Sequence, residues 1–115
     1  MNANEVIATL ASQLLGGDVN PNDHVNMGQS SNDVVPTAIQ ISSVLAIETQ
    51  LIPALNHLSK VLSDKRAEVG ESVKTGRTHL MDAMPITFDQ ELGGWQFQIE
   101  QAKTGIEQSL IAVKA

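Results

Sequence analysis

Two polar stretches of this sequence carry residues whose types and spacing could do chemistry. One is Gly76-Arg77-Thr78-His79-Leu80-Met81-Asp82-Ala83-Met84-Pro85, set between two long helical patterns. A connector between helices needs only a short turn and makes no demand for Arg, Thr and His together. Loops held by rigid elements are also where binding and catalytic groups concentrate. The other is residues 18–33, with four Asn and three Asp in sixteen positions, closing on Gly28-Gln29-Ser30-Ser31-Asn32-Asp33. Its end places two hydroxyls and an amide at a helix N-terminus. Free N–H groups and the helix dipole favour an anion there, so a carboxylate or phosphate could bind without lysine. Plain capping would use one of these residues and leave the others to be explained.

Other chemistries fit less well. Asp23 and His24 could ligate a metal, but first-row metal sites want three or four ligands. His57 lies within a helical pattern and reads as a helix-surface or packing residue, so no metal is expected. A Ser30–His79–Asp82 triad can be drawn, yet no nucleophile elbow or oxyanion motif accompanies it. With no Cys, the chain has no disulfide framework and no thiolate ligand or nucleophile. A net charge of −6 argues against a nucleic-acid or anionic-membrane surface, both of which need a basic patch. No continuous apolar run approaches the roughly 18–20 residues of a membrane span, and no secretory signal is evident. These features suit a cytoplasmic protein.

The elements that must position the two stretches read as helices. Hydrophobic residues make up 42% and aromatics only 3%, which favours helix on helix over a β-sandwich. The pattern predicts a helix over 2–15, a candidate active-site loop over 16–33 that is irregular in pattern, and a long helix over 34–69. Asn32 or Asp33 would cap that long helix, with Pro36 in its first turn and a kink near Leu51 imposed by Pro53. A second active-site loop covers 70–84, and a third helix covers 85–114. There Leu92, Trp95, Ile99, Ala102, Ile106, Leu110 and Val113 space like a bundle seam. Residues 73–87 could instead hold two short extended pieces around the histidine. Such helices cannot enclose a core alone, so the stripes should pack on further chain or further subunits. The opening Met1-Asn2-Ala3-Asn4 reads like a chain begun partway into a helix, as in a piece of a longer protein.

Four segments together resemble class II fumarate hydratase, of the fumarase/aspartase superfamily. They are Asn-Pro-Asn-Asp-His-Val-Asn-Met-Gly-Gln-Ser-Ser-Asn-Asp from Asn20, Leu-Ile-Pro-Ala-Leu at 51–55, Gly-Arg-Thr-His-Leu-Met-Asp-Ala-Met-Pro-Ile-Thr from Gly76, and Gln-Glu-Leu-Gly-Gly-Trp at 90–95. Related aspartases carry Thr for the second Ser and Gln for the His, so Ser31 and His79 point to fumarase. The resemblance implies an all-α, long-helix bundle and a homotetramer whose active sites draw on three subunits. It implies reversible anti addition of water to fumarate, giving L-malate, with no cofactor. Ser30, Ser31 and Asn32 match substrate-carboxylate contacts, Thr78 another substrate contact, and His79 the histidine that transfers protons through a water. Asn22 and Asp23 match a secondary dicarboxylate site, where the family often has His in place of Asn20. The family's Gly-Ser-Ser-x-Met-Pro-x-Lys-x-Asn loop, source of the base Ser and a carboxylate-binding Lys, does not occur in these residues. The other readings are a non-catalytic helical oligomerisation module and a related lyase such as aspartase.

Overall fold

A computed structural model describes residues 2–115, which divide into two units, one ending at Ile39 and the other spanning Gln40–Ala115. In the first, helix α1 (Asn2–Leu15) ends where Gly16 turns left-handed at φ 67°. The Gly16 amide closes on the Ser12 carbonyl, and the Val19 amide donates to Ser12 Oγ at 2.9 Å. Ala8, 3% exposed, is the buried residue of this helix. A π-helical turn, Pro21–Val25, follows, with wide bonds from the Val25 amide to the Asn20 carbonyl and from the Asn26 amide to the Pro21 carbonyl.

Helix α2 (Ser31–Ala46) begins earlier than its apolar pattern suggests. Ser30, not Asn32 or Asp33, is its cap. Ser30 Oγ accepts from the Asn32 amide at 3.2 Å, and its carbonyl accepts from the amides of Asp33 and Val34. Pro36 therefore lies inside the helix, beyond the first turn, where it removes the amide that would reach back one turn. Before Pro53 the helix widens to a π-helical turn, Ile47–Leu51, in which the Ile52 amide reaches the Ile47 carbonyl. The proline ring crowds the carbonyl one turn back, and widening relieves that clash. Helix α3 (Ile52–Val69) continues from there.

Residues 73–87 form an antiparallel hairpin, β1 (Val73–Thr78) and β2 (Met81–Thr87). Pairing runs from Val73↔Thr87 to Thr78↔Met81 and slips by one residue between Thr75 and Arg77. At this bulge Gly76 is buried, and a Cβ there would stand 2.6 Å from the Met84 carbonyl oxygen, so only glycine fits. Because Pro85, Ile86 and Thr87 belong to the ladder, helix α4 (Phe88–Lys114) starts later than residue 85. Thr87 and Gln90 form a reciprocal capping box, with bonds of 3.2 and 2.9 Å.

Helices α3 and α4 run antiparallel, as the pairs Ser59–Glu100 and Arg66–Asp89 require. Leu110, 7% exposed, is the one buried position of the seam on α4. Trp95, placed in that seam by its spacing, is 52% exposed instead. Val6, Leu10, Val35, Ile39, Ile41, Leu45 and Phe97 are likewise exposed. The stretch Ser31–Val69 is also long and apolar enough to cross a membrane by length and composition, with a mean hydropathy of 1.4 over 18 residues. Gln40, Ser42 and Ser43 interrupt it, so it is not a continuous apolar run.

Apolar stripes this exposed favour association. Sedimentation of the 115-residue chain should show concentration-dependent oligomers or a loosely ordered species. A compact monomer that melts cooperatively would contradict this.

Candidate functional site

The hairpin turns in two residues, His79 and Leu80, with φ of 51° and 60°. Two central residues with positive φ are the mark of the type I′ turn, whose twist matches the strands but which prefers Asn-Gly. His visits this region more readily than most residues; Leu does not. Left-handed non-glycine residues cost on the order of 1–3 kcal/mol each and persist where the surroundings hold them. The His79 imidazole is exposed, and Leu80 is 100% exposed. Thr78 ends β1 immediately before the turn, and Arg77 faces Asp82 across the ladder, with Nε 3.6 Å from Oδ1. That pair is mostly solvated and adds little to stability.

The base of the hairpin is held more firmly. The Phe88 amide donates to the Ser72 carbonyl and the Asp89 amide to the Gly70 carbonyl. Lys74 Nζ meets Glu91 Oε2 at 2.6 Å and lies 5.5 Å from the centre of the Phe88 ring. Below it, Arg66 Nε donates to Asp89 Oδ1 and its Nη1 to Gln96 Oε1, both at 2.8 Å. The bond to Asp89 holds the Arg66 guanidinium above its ordinary pKa, with desolvation acting the other way. A Cβ on Gly93 would stand 3.2 Å from Arg66 Cζ, so the glycine leaves room for the guanidinium.

In the first unit the structure separates the roles of three residues that the sequence grouped. Ser30 is spent as the cap of α2. Ser31 and Asn32 stand exposed in the first turn, and no hydrogen bond within the described residues engages their side chains. The Asn20–Asp23 turn is drawn together by Asn20 Oδ1, which accepts from the amides of Asn22 at 2.8 Å and Asp23 at 3.1 Å. His24 Nδ1 accepts from the Asn20 amide at 3.0 Å, a second tie across this turn. Among the described residues no group of three or more His, Asp or Glu side chains gathers as a metal site. His57 is exposed on α3. Sequence reasoning missed Leu80, Lys74, Glu91 and Arg66. A two-residue gap between two extended runs was the available signal for Leu80; the other three show only once the helices are paired.

With this geometry in hand, comparison with known proteins places the chain in a family. A family model described as lyase matches residues 1–115, and the chain belongs to that lyase family. Among individual relatives it is 60% identical over 114 residues to class II fumarate hydratase 2 of Pseudomonas aeruginosa, and 59% identical over 110 residues to class II fumarate hydratase of Xylella fastidiosa. Those alignments cover 99% and 96% of this chain but 25% and 23% of the relatives, so the chain spans about a quarter of their length. Solved structures agree. The class II fumarase of Schistosoma mansoni superposes with a TM-score of 0.84 at 43% identity, covering 97% of this chain and 25% of that one. A fumarate lyase:delta crystallin structure from Brucella melitensis gives 0.86 at 38% identity, covering 98% and 27%.

The turn chemistry can be tested directly. In the full-length protein carrying these residues, Leu80→Gly should raise stability by about 0.5–1 kcal/mol in denaturant titrations, since glycine takes positive φ without a Cβ penalty. Asn20→Ala should lower it by about 1 kcal/mol through loss of the cap.

Proposed function

We propose that this stretch belongs to a fumarate hydratase, where it supplies two of the regions that handle the substrate. The observation that carries the reading is the hairpin tip, where a left-handed turn, unfavourable for its own residues, holds His79 exposed beyond the strands and next to Thr78, the last residue of β1. Backbone strain of this kind clusters at ligand-handling sites. It falls in a chain of 60% identity to a class II fumarate hydratase.

In this reading Ser31 and Asn32 bind a substrate carboxylate at the start of α2, assisted by the helix dipole, while Ser30 shapes that end as its cap. Thr78 contacts the substrate, and His79 moves a proton through a water. Removal of the weakly acidic C3 proton of L-malate builds charge on the adjacent carboxylate. Donors already placed around it lower that barrier, and an imidazole, with one ring nitrogen to accept a proton and another to donate one, suits the proton transfer. At the secondary dicarboxylate site, Asn20 acts as a cap, which leaves the exposed side chains of Asn22 and Asp23 to contact a ligand. The assembled protein is a cytoplasmic homotetramer in which the exposed stripes pair between subunits. A purely structural module accounts less well for Ser31 and Asn32, which α2 does not need as caps, or for His79 in an unfavourable turn.

In the full-length protein carrying these residues, His79→Asn should lower kcat at least about tenfold, roughly 1.4 kcal/mol in the barrier, with KM much less affected. Ser31→Ala should weaken dicarboxylate binding by about 1–3 kcal/mol, the range for a hydrogen bond to a charge. Steady-state kinetics checks both, and unchanged turnover in the His79 variant would refute its assigned role. The 115-residue chain alone, without the Ser/Lys loop, should not hydrate fumarate measurably. Fumarate absorbance followed against a His79 variant of the same preparation separates any true activity from contaminating host enzyme.

A further inference from the structure

A two-stranded ribbon is marginal in water by itself, and this one ends in a turn that its own residues do not favour. Something outside the ribbon must fix its direction. At its very base the amides of Phe88 and Asp89 tie residues 70–72 to the start of α4. Further up β1, the contact that reaches α4 is Lys74–Glu91. The other ion pairs do different work. Lys60–Asp64, Lys65–Glu68 and Lys103–Glu107 each lie within one helix, Arg77–Asp82 joins the two strands, Arg66–Asp89 joins α3 to α4, and Lys114–Glu48 joins α4 to the π-helical turn before α3. Among the ion pairs of the described residues, Lys74–Glu91 alone joins a strand to a helix, and the Thr87–Gln90 capping box holds only the end of β2, at the root of the ribbon. Its side chains are 24% and 29% exposed, so salt and water screen it less than the solvated pairs, and the Phe88 ring lies beneath the ammonium.

We propose that Lys74 and Glu91 are a positioning pair for His79, clamping the hairpin to α4 so that its tip holds one place relative to the helices. This rests on the reading of His79 as the proton-transfer residue. The lever is long. From Lys74 to His79 the strand extends about 16 Å at roughly 3.3 Å per residue, so tilting the ribbon by about 10° at the clamp carries the histidine about 3 Å. Catalytic geometry tolerates on the order of 0.5–1 Å. The bulge at Gly76 lies between clamp and tip and re-aims the outer part of the ribbon, so the direction set at Lys74 is passed on through a bend of fixed register. The α3–α4 pair has its own ties through Arg66, Gln96, Ser59 and Glu100, so losing the clamp should not loosen the helices.

The test uses Lys74→Met, Glu91→Gln and the conservative Lys74→Arg in the full-length protein. Hydrogen exchange by mass spectrometry is followed over 73–87 and over α3 and α4, alongside steady-state kinetics. The expected result for Lys74→Met and Glu91→Gln is exchange at least about fivefold faster in the hairpin, with the helices unchanged. Turnover should fall about tenfold with KM held within about threefold, and Lys74→Arg should recover most of both. Unchanged hairpin exchange would overturn the proposal, as would exchange rising equally across α3 and α4, or turnover left intact while the hairpin loosens. Wild-type turnover in a parallel His79→Asn variant would instead defeat the reading of His79. The exchange data would still decide whether the clamp holds the hairpin.

Discussion

The second unit depends on one antiparallel pairing, that of α3 with α4, and on the Arg66 guanidinium that fixes its end. Arg66 grips Asp89 and Gln96 on α4, and Gly93 provides the space in which it lies. Asp89 sits at the head of α4, and its amide also takes the Gly70 carbonyl where the chain leaves α3. One residue therefore joins the end of one helix, the start of the next and the root of the hairpin between them. Further along, Ser59, Gln96 and Glu100 share hydrogen bonds between the two helices. Polar groups with matched partners set register in a way that interchangeable apolar contacts do not, because a shift of one turn would leave them unpaired.

Apolar burial does little of this work. Ala8 and Leu110 are the buried apolar residues, while large side chains along all of the long helices remain open. The apolar groove between the end of α2 and α4, about 450 Å³ and lined by Val44, Ile47, Ile106, Leu110 and Val113 among others, is part of the same unfinished surface. A helix whose apolar positions spread over more than one face needs more than one neighbour. The stripes are thus better understood as halves of contacts than as a core in themselves, in keeping with a chain that spans a quarter of its relatives.

The helices were legible in the sequence because their spacing is strong, and Pro53 announced the disturbance that takes the form of a π-helical turn at Ile47–Leu51. Helix starts were less legible. Ser30, Asn32 and Asp33 are all good caps, and only the geometry decides that Ser30 is the one used. Spacing also put Trp95 in the seam, because periodicity names a stripe and cannot say which neighbour covers each part of it. The hairpin was harder still: Gly76, Pro85 and the unusual His79-Leu80 turn all weaken the ordinary strand and turn signals. The candidate site residues were legible chiefly through resemblance. Their local roles, Ser30 and Asn20 as caps and Ser31 and Asn32 as exposed groups, came only from the fold.

The His79-Leu80 turn shows why those weak signals and the candidate function belong together. A hairpin selected only for stability would place Asn-Gly at its tip and avoid the left-handed penalty. Here a histidine and a fully exposed leucine occupy those positions. The register is then kept by other means. Thr78↔Met81 and Arg77↔Asp82 pair on the tip side of the bulge, the capping box and Ser72 hold the root, and Lys74 with Glu91 joins the ribbon to α4. None of these contacts uses the side chain of His79 or Leu80, so the tip itself stays open. In the role proposed for His79, a side chain that meets a small substrate needs that openness, and a strained turn held from behind supplies it without burying the imidazole.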